Sequence, residues 1–216
     1  MSAESNINFK PWVGDNYKTQ GFRGKRILVL GESHYCRDDL AEGGRCFPVC
    51  KVENMNEGCF SQTVDILDDY VNGWQKNRTY VCFERAILGK ELSQEEKREL
   101  WQGIVFYNYL QFSVGGEARI SPQNELWKKS EAAFKEILEE YMPDYIIVWG
   151  KELFNKLPRW DGECSEISIG ENDKTDVRTY TIKGKKISAL KVYHPSTGMG
   201  NCWTYWHQFY VKFLGL

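Results

Sequence analysis

A short apolar run at residues 27–30, ILVL, constrains the fold of this chain more than any other stretch. The cations Lys25 and Arg26 precede it, and the polar segment 31–35, GESHY, follows it directly. Four consecutive aliphatic residues are typical of a strand buried on both faces within a parallel sheet. Ligands of open α/β sheets bind beyond the carboxyl ends of such strands. The sequence therefore predicts a strand at 25–31 with a binding site at its tip.

Further along the chain, strand-like and helix-like segments alternate. Apolar runs predict buried strands at 104–110 and 144–150, and a turn at 183–185 predicts a hairpin between 179–182 and 186–193. Caps and helical spacing of apolar side chains predict helices at 61–74, 93–101, 125–141, 151–157 and 201–214. The stretches 36–60 and 159–176 are polar and loop-like. This alternation indicates an α/β fold with a largely parallel sheet.

The 216 residues suit one domain spanning 1–216. An aromatic-rich lead-in, residues 1–24, should cover one edge of the sheet through Phe9, Trp12, Tyr17 and Phe22. Neither a signal peptide nor an apolar run of about 18 residues is present, which predicts a cytoplasmic protein without a membrane partner. Nothing in the sequence suggests a protein partner.

Charge and cysteine content narrow the possible ligands. The chain carries 28 Lys and Arg against 30 Asp and Glu, so the excess positive charge of a strong DNA-binding protein is absent, although the segment after residue 173 is locally basic. Seven cysteines and no signal peptide predict free thiols in a reducing compartment. The spacings among Cys46, Cys50, Cys59 and Cys82 match no zinc or iron–sulfur pattern, so we expect neither a metal nor a cofactor.

Three strand ends present polar side chains: the tip 31–35, Asn108, and the segment His194-Pro195-Ser196. In order and type they resemble the motifs of the uracil-DNA glycosylase superfamily, G-Q-D-P-Y-H or G-E-A-P-G after the first strand and H-P-S late in the chain. Residues 143–150, PDYIIVWG, are similar to a further strand motif of that family. The resemblance covers about residues 25–200. It implies a three-layer αβα fold with a central, mostly parallel four-stranded sheet.

The resemblance also implies an N-glycosidase that removes a deaminated or modified base from DNA, as in base-excision repair. Breaking the base–sugar bond builds positive charge on the sugar and negative charge on the base. By this scheme Glu32 is the catalytic carboxylate that orients water, and His194 is the catalytic donor to the base oxygen. Asn108 would pair with the amide edge of a pyrimidine. Other predicted substrate-binding residues are Gly31, Ser33, His34, Tyr35, Phe47 and Ser196, with Met199 as a wedge in the DNA.

Alternative interpretations remain open for these residues. Glu32 could cap a turn, His34 and His194 could brace loops, and Asn108 could bond a neighbouring backbone. Ser33 stands where the family motif has aspartate, which favours a non-catalytic module that binds a nucleobase or nucleic acid. An unrelated hydrolase using a Ser–His pair ranks last, because no G-x-S-x-G elbow is present. Phe47 could pack in the core, and His207 is expected to pack within the last helix.

Overall fold

The chain folds into alternating helices and strands. The computed structural model describes residues 5–35, 55–114, 122–198, 200 and 202–216. In chain order the strands are β1 (Trp12–Val13), β2 (Ile27–Gly31), β3 (Ile104–Asn108), β4 (Tyr145–Trp149), β5 (Glu163–Ile169), β6 (Asp173–Ile182) and β7 (Lys185–Val192). The helices are α1 (Glu57–Val71), α2 (Arg78–Leu88), α3 (Gln94–Gln102), α4 (Asn124–Lys129), α5 (Glu131–Tyr141), α6 (Lys151–Lys156) and α7 (Trp203–Leu214).

All seven strands belong to one sheet in the order β1-β3-β2-β4-β7-β6-β5. The four central strands, β3, β2, β4 and β7, are parallel to one another. Antiparallel strands extend the sheet at both sides, β1 beside β3 and the pair β6–β5 beside β7. The α/β class predicted from the sequence is therefore confirmed, and the sheet has seven strands rather than four.

Helices pack on both faces of the sheet because its central strands are apolar on both faces. In β2, Ile27 and Val29 belong to a core shared with side chains of α1, α2, α3 and α7. Leu28 and Leu30 point the other way, into a core shared with α4, α5 and α6. Every residue of β2 is buried. This two-sided burial explains the unbroken aliphatic run in the sequence.

The aromatic lead-in lies against the sheet edge. Trp12 of β1 pairs with Phe106 of β3, and Trp12, Phe9, Tyr17 and Phe22 are all at most 4% exposed. The indole N–H of Trp12 donates to Asp68 Oδ1 at 2.8 Å, which ties the lead-in to α1. The segment thus protects the outer edge of β3 from solvent.

One helix was not predicted from the sequence, and one predicted loop was wrong. Helix α2 was not predicted, although Asn77 caps its start by accepting from the Thr79 N–H and Gly89 ends it with a φ of 71°. The polar stretch predicted as a loop, 159–176, contains β5 and the beginning of β6. These strands lie at the outer side of the sheet, and the first four residues of β5 are exposed, so they lack the apolar run that marks a buried strand.

Helix boundaries also differ from those predicted. Helix α1 begins at Glu57 rather than Ser61, since the Asn56 side chain accepts from the Cys59 N–H and caps the helix there. The single helix predicted at 125–141 is broken at Ser130 into α4 and α5. The Ser130 hydroxyl donates to the Leu126 carbonyl at 2.9 Å, a contact that often bends helices. Within the described ranges, no helix is long and apolar enough to cross a bilayer.

Candidate functional site

The polar strand ends predicted from the sequence lie along one edge of the sheet. Gly31 pairs with Asn108, Leu30 with Val148, and Val148 with Lys191 in parallel register. The carboxyl ends of β3, β2, β4 and β7 therefore meet at the same edge. Neighbouring strands are about 4.8 Å apart, so β2 and β7, with β4 between them, are separated by about 10 Å. We call this region the strand-edge site.

The strand-edge site includes the point where the direction of winding reverses. The connection from β2 to β3 passes through α1, α2 and α3 on one face, and that from β3 to β4 passes through α4 and α5 on the other. Strands β2 and β4 are adjacent at the reversal, and Glu32 follows the first of them. Crevices at such positions are the usual ligand sites of open α/β sheets.

Glu32 is partly buried at the tip of β2. Burial raises the pKa of its carboxyl group, and the negative charge of Glu152 raises this pKa further. Glu152 is exposed in the first turn of α6, the helix that follows β4. A carboxylate with a raised pKa accepts a proton more readily near neutral pH, which is the property of a general base.

His194 is held in one neutral tautomer. Its Nδ1 accepts a hydrogen bond from the Ser196 backbone N–H at 3.3 Å and lies 2.8 Å from the Ser196 hydroxyl. Burial lowers the pKa of the ring, which keeps it neutral. The proton therefore resides on Nε2, and no residue in the described part of the chain accepts a hydrogen bond from that atom. His194 can thus donate a hydrogen bond to a ligand without carrying a charge.

The turn after His194 is ordered by its own backbone. The Thr197 N–H and hydroxyl both donate to the His194 carbonyl, at 3.0 and 2.8 Å. The Trp149 ring meets the imidazole edge-on with 6.0 Å between the centroids. These contacts fix the imidazole plane at the end of β7.

His34 is bound within the protein instead. It is 4% exposed, and its ring lies 4.4 Å from the Phe9 ring. Its Nε2 lies 2.8 Å from the Thr63 hydroxyl and 3.2 Å from Asn108 Nδ2. An amide nitrogen can only donate, so Nε2 is the acceptor in both contacts. Burial lowers the pKa of His34 to about 3, which keeps it neutral.

Asn108 lies directly over Gly31. A Cβ atom on residue 31 would come within 2.2 Å of Asn108 Oδ1, so any side chain larger than that of glycine would displace the Asn108 amide group. The Asn108 amide nitrogen faces His34. The structure therefore brings Gly31, His34 and Asn108 together as one cluster, and the role of Asn108 as a base reader remains a prediction.

Over the ranges that the structure describes, the other predicted residues make no hydrogen bond or ring contact with the cluster of Gly31, His34 and Asn108. Ser33, which precedes His34 in the sequence, is partly buried, and Tyr35 is 42% exposed. Ser196 is exposed and contacts His194. No hydrogen bond joins Glu32 to His194 among the described residues. Phe47 and Met199 lie outside the described residues. His207 packs as predicted, with its Nδ1 3.0 Å from the Ala86 carbonyl.

Two residues of the site were missed by sequence reasoning. Thr63 is polar but buried, and it lies four residues before Leu67 on the apolar face of α1. A polar side chain on an apolar helical stripe was the available signal. Glu152 is an exposed residue of a short helix, and nothing local in the sequence distinguishes it.

Comparison with known proteins adds no information about the strand-edge site. No protein-family model matches the chain, and no curated protein matches it. Within the described ranges, no group of three or more His, Cys, Asp or Glu side chains could hold a metal ion.

Proposed function

We propose that this protein is an N-glycosidase of the uracil-DNA glycosylase type, which hydrolyses the base–sugar bond of a deaminated or modified base in DNA. The observation that carries the proposal is the hydrogen bond from the Ser196 backbone N–H to His194 Nδ1, which places the proton of a neutral ring on Nε2. A neutral imidazole donating from Nε2 lies at the same sheet edge as Glu32, a carboxylate whose pKa is raised.

The reaction assigns one task to each of these groups. The bond between C1′ and the base nitrogen breaks, and its electron pair leaves with the base. His194 Nε2–H donates a hydrogen bond to the base oxygen on which negative charge develops. A water molecule oriented by Glu32 forms the new C1′–O bond and gives up its proton to the carboxylate. The departing base acquires a proton from solvent, and Glu32 returns its proton to solvent. Atoms and charges are then balanced without a metal or cofactor.

The sheet supports the same assignment. The order of the parallel strands, β3-β2-β4-β7, with helices on both faces, is compatible with the three-layer arrangement that the sequence resemblance implies. The remaining predicted binding residues, Gly31, Ser33, His34, Tyr35, Phe47, Asn108 and Ser196, would shape the base pocket in this proposal.

A second candidate function is a non-catalytic module that binds a nucleobase or nucleic acid. Ser33 occupies the position of the family aspartate, and the Asn108 amide nitrogen is already bonded to His34. Under this alternative the strand-edge site binds a base and does not cleave its bond.

Base release from defined oligonucleotides separates the two functions. Single- and double-stranded substrates containing uracil, hypoxanthine or xanthine are incubated with the protein, and abasic sites are then cleaved by alkali. We expect the native chain to form product. In both Glu32→Gln and His194→Ala the rate should fall by at least about 100-fold. Glu171→Gln, an exposed carboxylate between β5 and β6, is the matched control and should keep the native rate.

The outcomes lead to different conclusions. Product that forms equally well with both variants would refute the roles of Glu32 and His194. An inactive native protein that still binds free nucleobases, with binding lost in His194→Ala, would establish the non-catalytic module instead. Inactivity without any binding would remove both functions.

A further inference from the structure

A concave surface lies at the other end of α1, away from the strand-edge site. It is a cavity of about 640 Å³ between the end of α1, the α1–α2 loop, one face of α2 and the first turns of α3. Thr63, at the strand-edge site, and Tyr70, at the cavity, are seven residues apart on α1. At 1.5 Å per residue they are separated by about 10 Å, so the two sites are distinct.

The cavity is lined by cations without carboxylates. Lys76, Arg78, Arg85 and Lys97 contribute to its wall, and no Asp or Glu is among its lining residues. Lys76 and Arg78 are exposed, and no carboxylate in the described part of the chain pairs with either. Surface cations are usually interspersed with anions, so these two cations, unpaired within the described ranges, add positive charge at one side of a concave site.

The other two cations are held in place. Arg85 pairs with Glu91, which is exposed. Lys97 Nζ lies 3.6 Å from the centre of the Tyr70 ring and donates to the Tyr70 carbonyl at 3.2 Å. The Tyr70 hydroxyl in turn donates to buried Glu84 at 2.8 Å. This network orders one wall of the cavity and leaves Lys76 and Arg78 available to a ligand.

An exposed indole stands beside these cations. Trp74 is 79% exposed, and its chain neighbours Gly73 and Gln75 both line the cavity. The loop that carries it is anchored, because the Trp74 and Gln75 N–H groups both donate to the Asp69 carbonyl, at 2.9 and 3.2 Å. Large aromatic side chains held in solvent next to basic residues are the usual stacking platform for unpaired bases.

We propose that this surface, the cationic cavity with Trp74 beside it, binds phosphorylated nucleobase ligands. The phosphates contact Lys76 and Arg78, and a base stacks on the Trp74 indole. Single-stranded nucleic acid and free nucleotides share this chemistry. The inference does not rest on the proposed function, since none of its residues belongs to the strand-edge site.

Charge reversal tests the cationic part of the surface. Binding of fluorescein-labelled dT12 is followed by anisotropy over a range of salt concentrations. We expect at least about tenfold weaker binding by Lys76→Glu/Arg78→Glu, and a salt slope smaller by about 1.4, because each single-strand phosphate contact contributes about 0.7. The control Lys128→Glu/Lys135→Glu changes the charge equally on α4 and α5, at exposed positions, and should stay within about twofold of the native affinity.

Removal of the indole tests the stacking part. Trp74→Ala should bind dT12 at least about fivefold more weakly. Because Trp74 is exposed, the variant should keep the native melting temperature, which a thermal melt verifies. Competition with AMP and with inorganic pyrophosphate shows whether the surface prefers a free nucleotide or single-stranded nucleic acid. Displacement by AMP at lower concentration than pyrophosphate indicates a free nucleotide, and displacement only by unlabelled dT12 indicates single-stranded nucleic acid.

Three results would overturn the proposal. The first is the absence of dT12 binding by the native protein at low salt, together with no binding of AMP. The second is an equal loss of affinity in the charge-reversed cavity variant and in the control on α4 and α5. The third is a loss in Glu32→Gln/His194→Ala as large as that in the cavity variant, which would assign the binding to the strand-edge site.

Discussion

Acidification should weaken the fold through His34. This side chain is 4% exposed, and burial lowers its pKa from 6.5 to about 3. In the unfolded chain the imidazole takes up a proton below pH 6.5, whereas in the folded protein it stays neutral until about pH 3. The unfolded state therefore binds more protons in this window, and the free energy of unfolding falls as the pH falls.

The magnitude follows from the two pKa values. One pH unit corresponds to about 1.4 kcal/mol for a single proton. Between pH 7.5 and pH 5.0 only the 1.5 units below the unfolded pKa of 6.5 count, so the loss from His34 is about 2 kcal/mol. Domains of this kind are stable by about 5–15 kcal/mol, so a loss of this size is readily measured.

Urea unfolding at pH 7.5, 6.0 and 5.0, followed by tryptophan fluorescence, tests this reasoning. His34→Gln retains an acceptor for Thr63 and Asn108 but has no proton to gain. Its free energy of unfolding should fall by about 2 kcal/mol less than that of the native chain between pH 7.5 and 5.0. The carboxylates and His194 contribute to both proteins and cancel in the comparison. Equal losses in the two proteins would refute the assignment of this pH dependence to His34.

Three further changes should alter stability in known directions, each measured by urea unfolding. Gly31→Ala would bring a Cβ within 2.2 Å of Asn108 Oδ1 and should cost about 1–3 kcal/mol, whereas Gly198→Ala meets nothing within 4 Å and should cost less than about 0.5 kcal/mol. Ser93→Ala removes the capping box of α3 and should cost about 1 kcal/mol. Burial raises the pKa of Glu84, so this residue destabilises the native chain as the pH rises and the carboxyl group loses its proton. Glutamine does not titrate, so the stability of Glu84→Gln relative to the native chain should be greater at pH 8 than at pH 5. The opposite ordering of the two pH values would contradict this account of Glu84.

Elements with strong local signals were predictable from the sequence. The apolar runs at 27–30, 104–110 and 144–150 each contain a central strand, because burial on both faces favours consecutive apolar residues. The capping box at Ser93 and the turn at Lys183-Gly184 also formed as expected, the latter with both residues at positive φ.

Structure determined by distant contacts was not predictable in this way. Strand β5 has an exposed first half and is specified by its pairing with β6 rather than by its own composition. The cluster at the strand edge was only partly accessible for the same reason. The sequence placed Gly31, His34 and Asn108 at strand ends, but the Thr63 partner of His34 comes from α1 and depends on how that helix packs.

The two histidines at the strand edge are both neutral, yet opposite ring atoms hold their protons. His34 accepts at Nε2 from Thr63 and Asn108, so its proton is on Nδ1, and both partners are protein groups within the fold. His194 accepts at Nδ1 from the Ser196 N–H, so its Nε2–H is the donor. Changes at His34 should therefore appear first in stability, and changes at His194 first in ligand binding or catalysis. The sequence predicted both histidines as site residues and could not distinguish their protonated ring atoms. The hydrogen-bond partners of the two rings make this distinction.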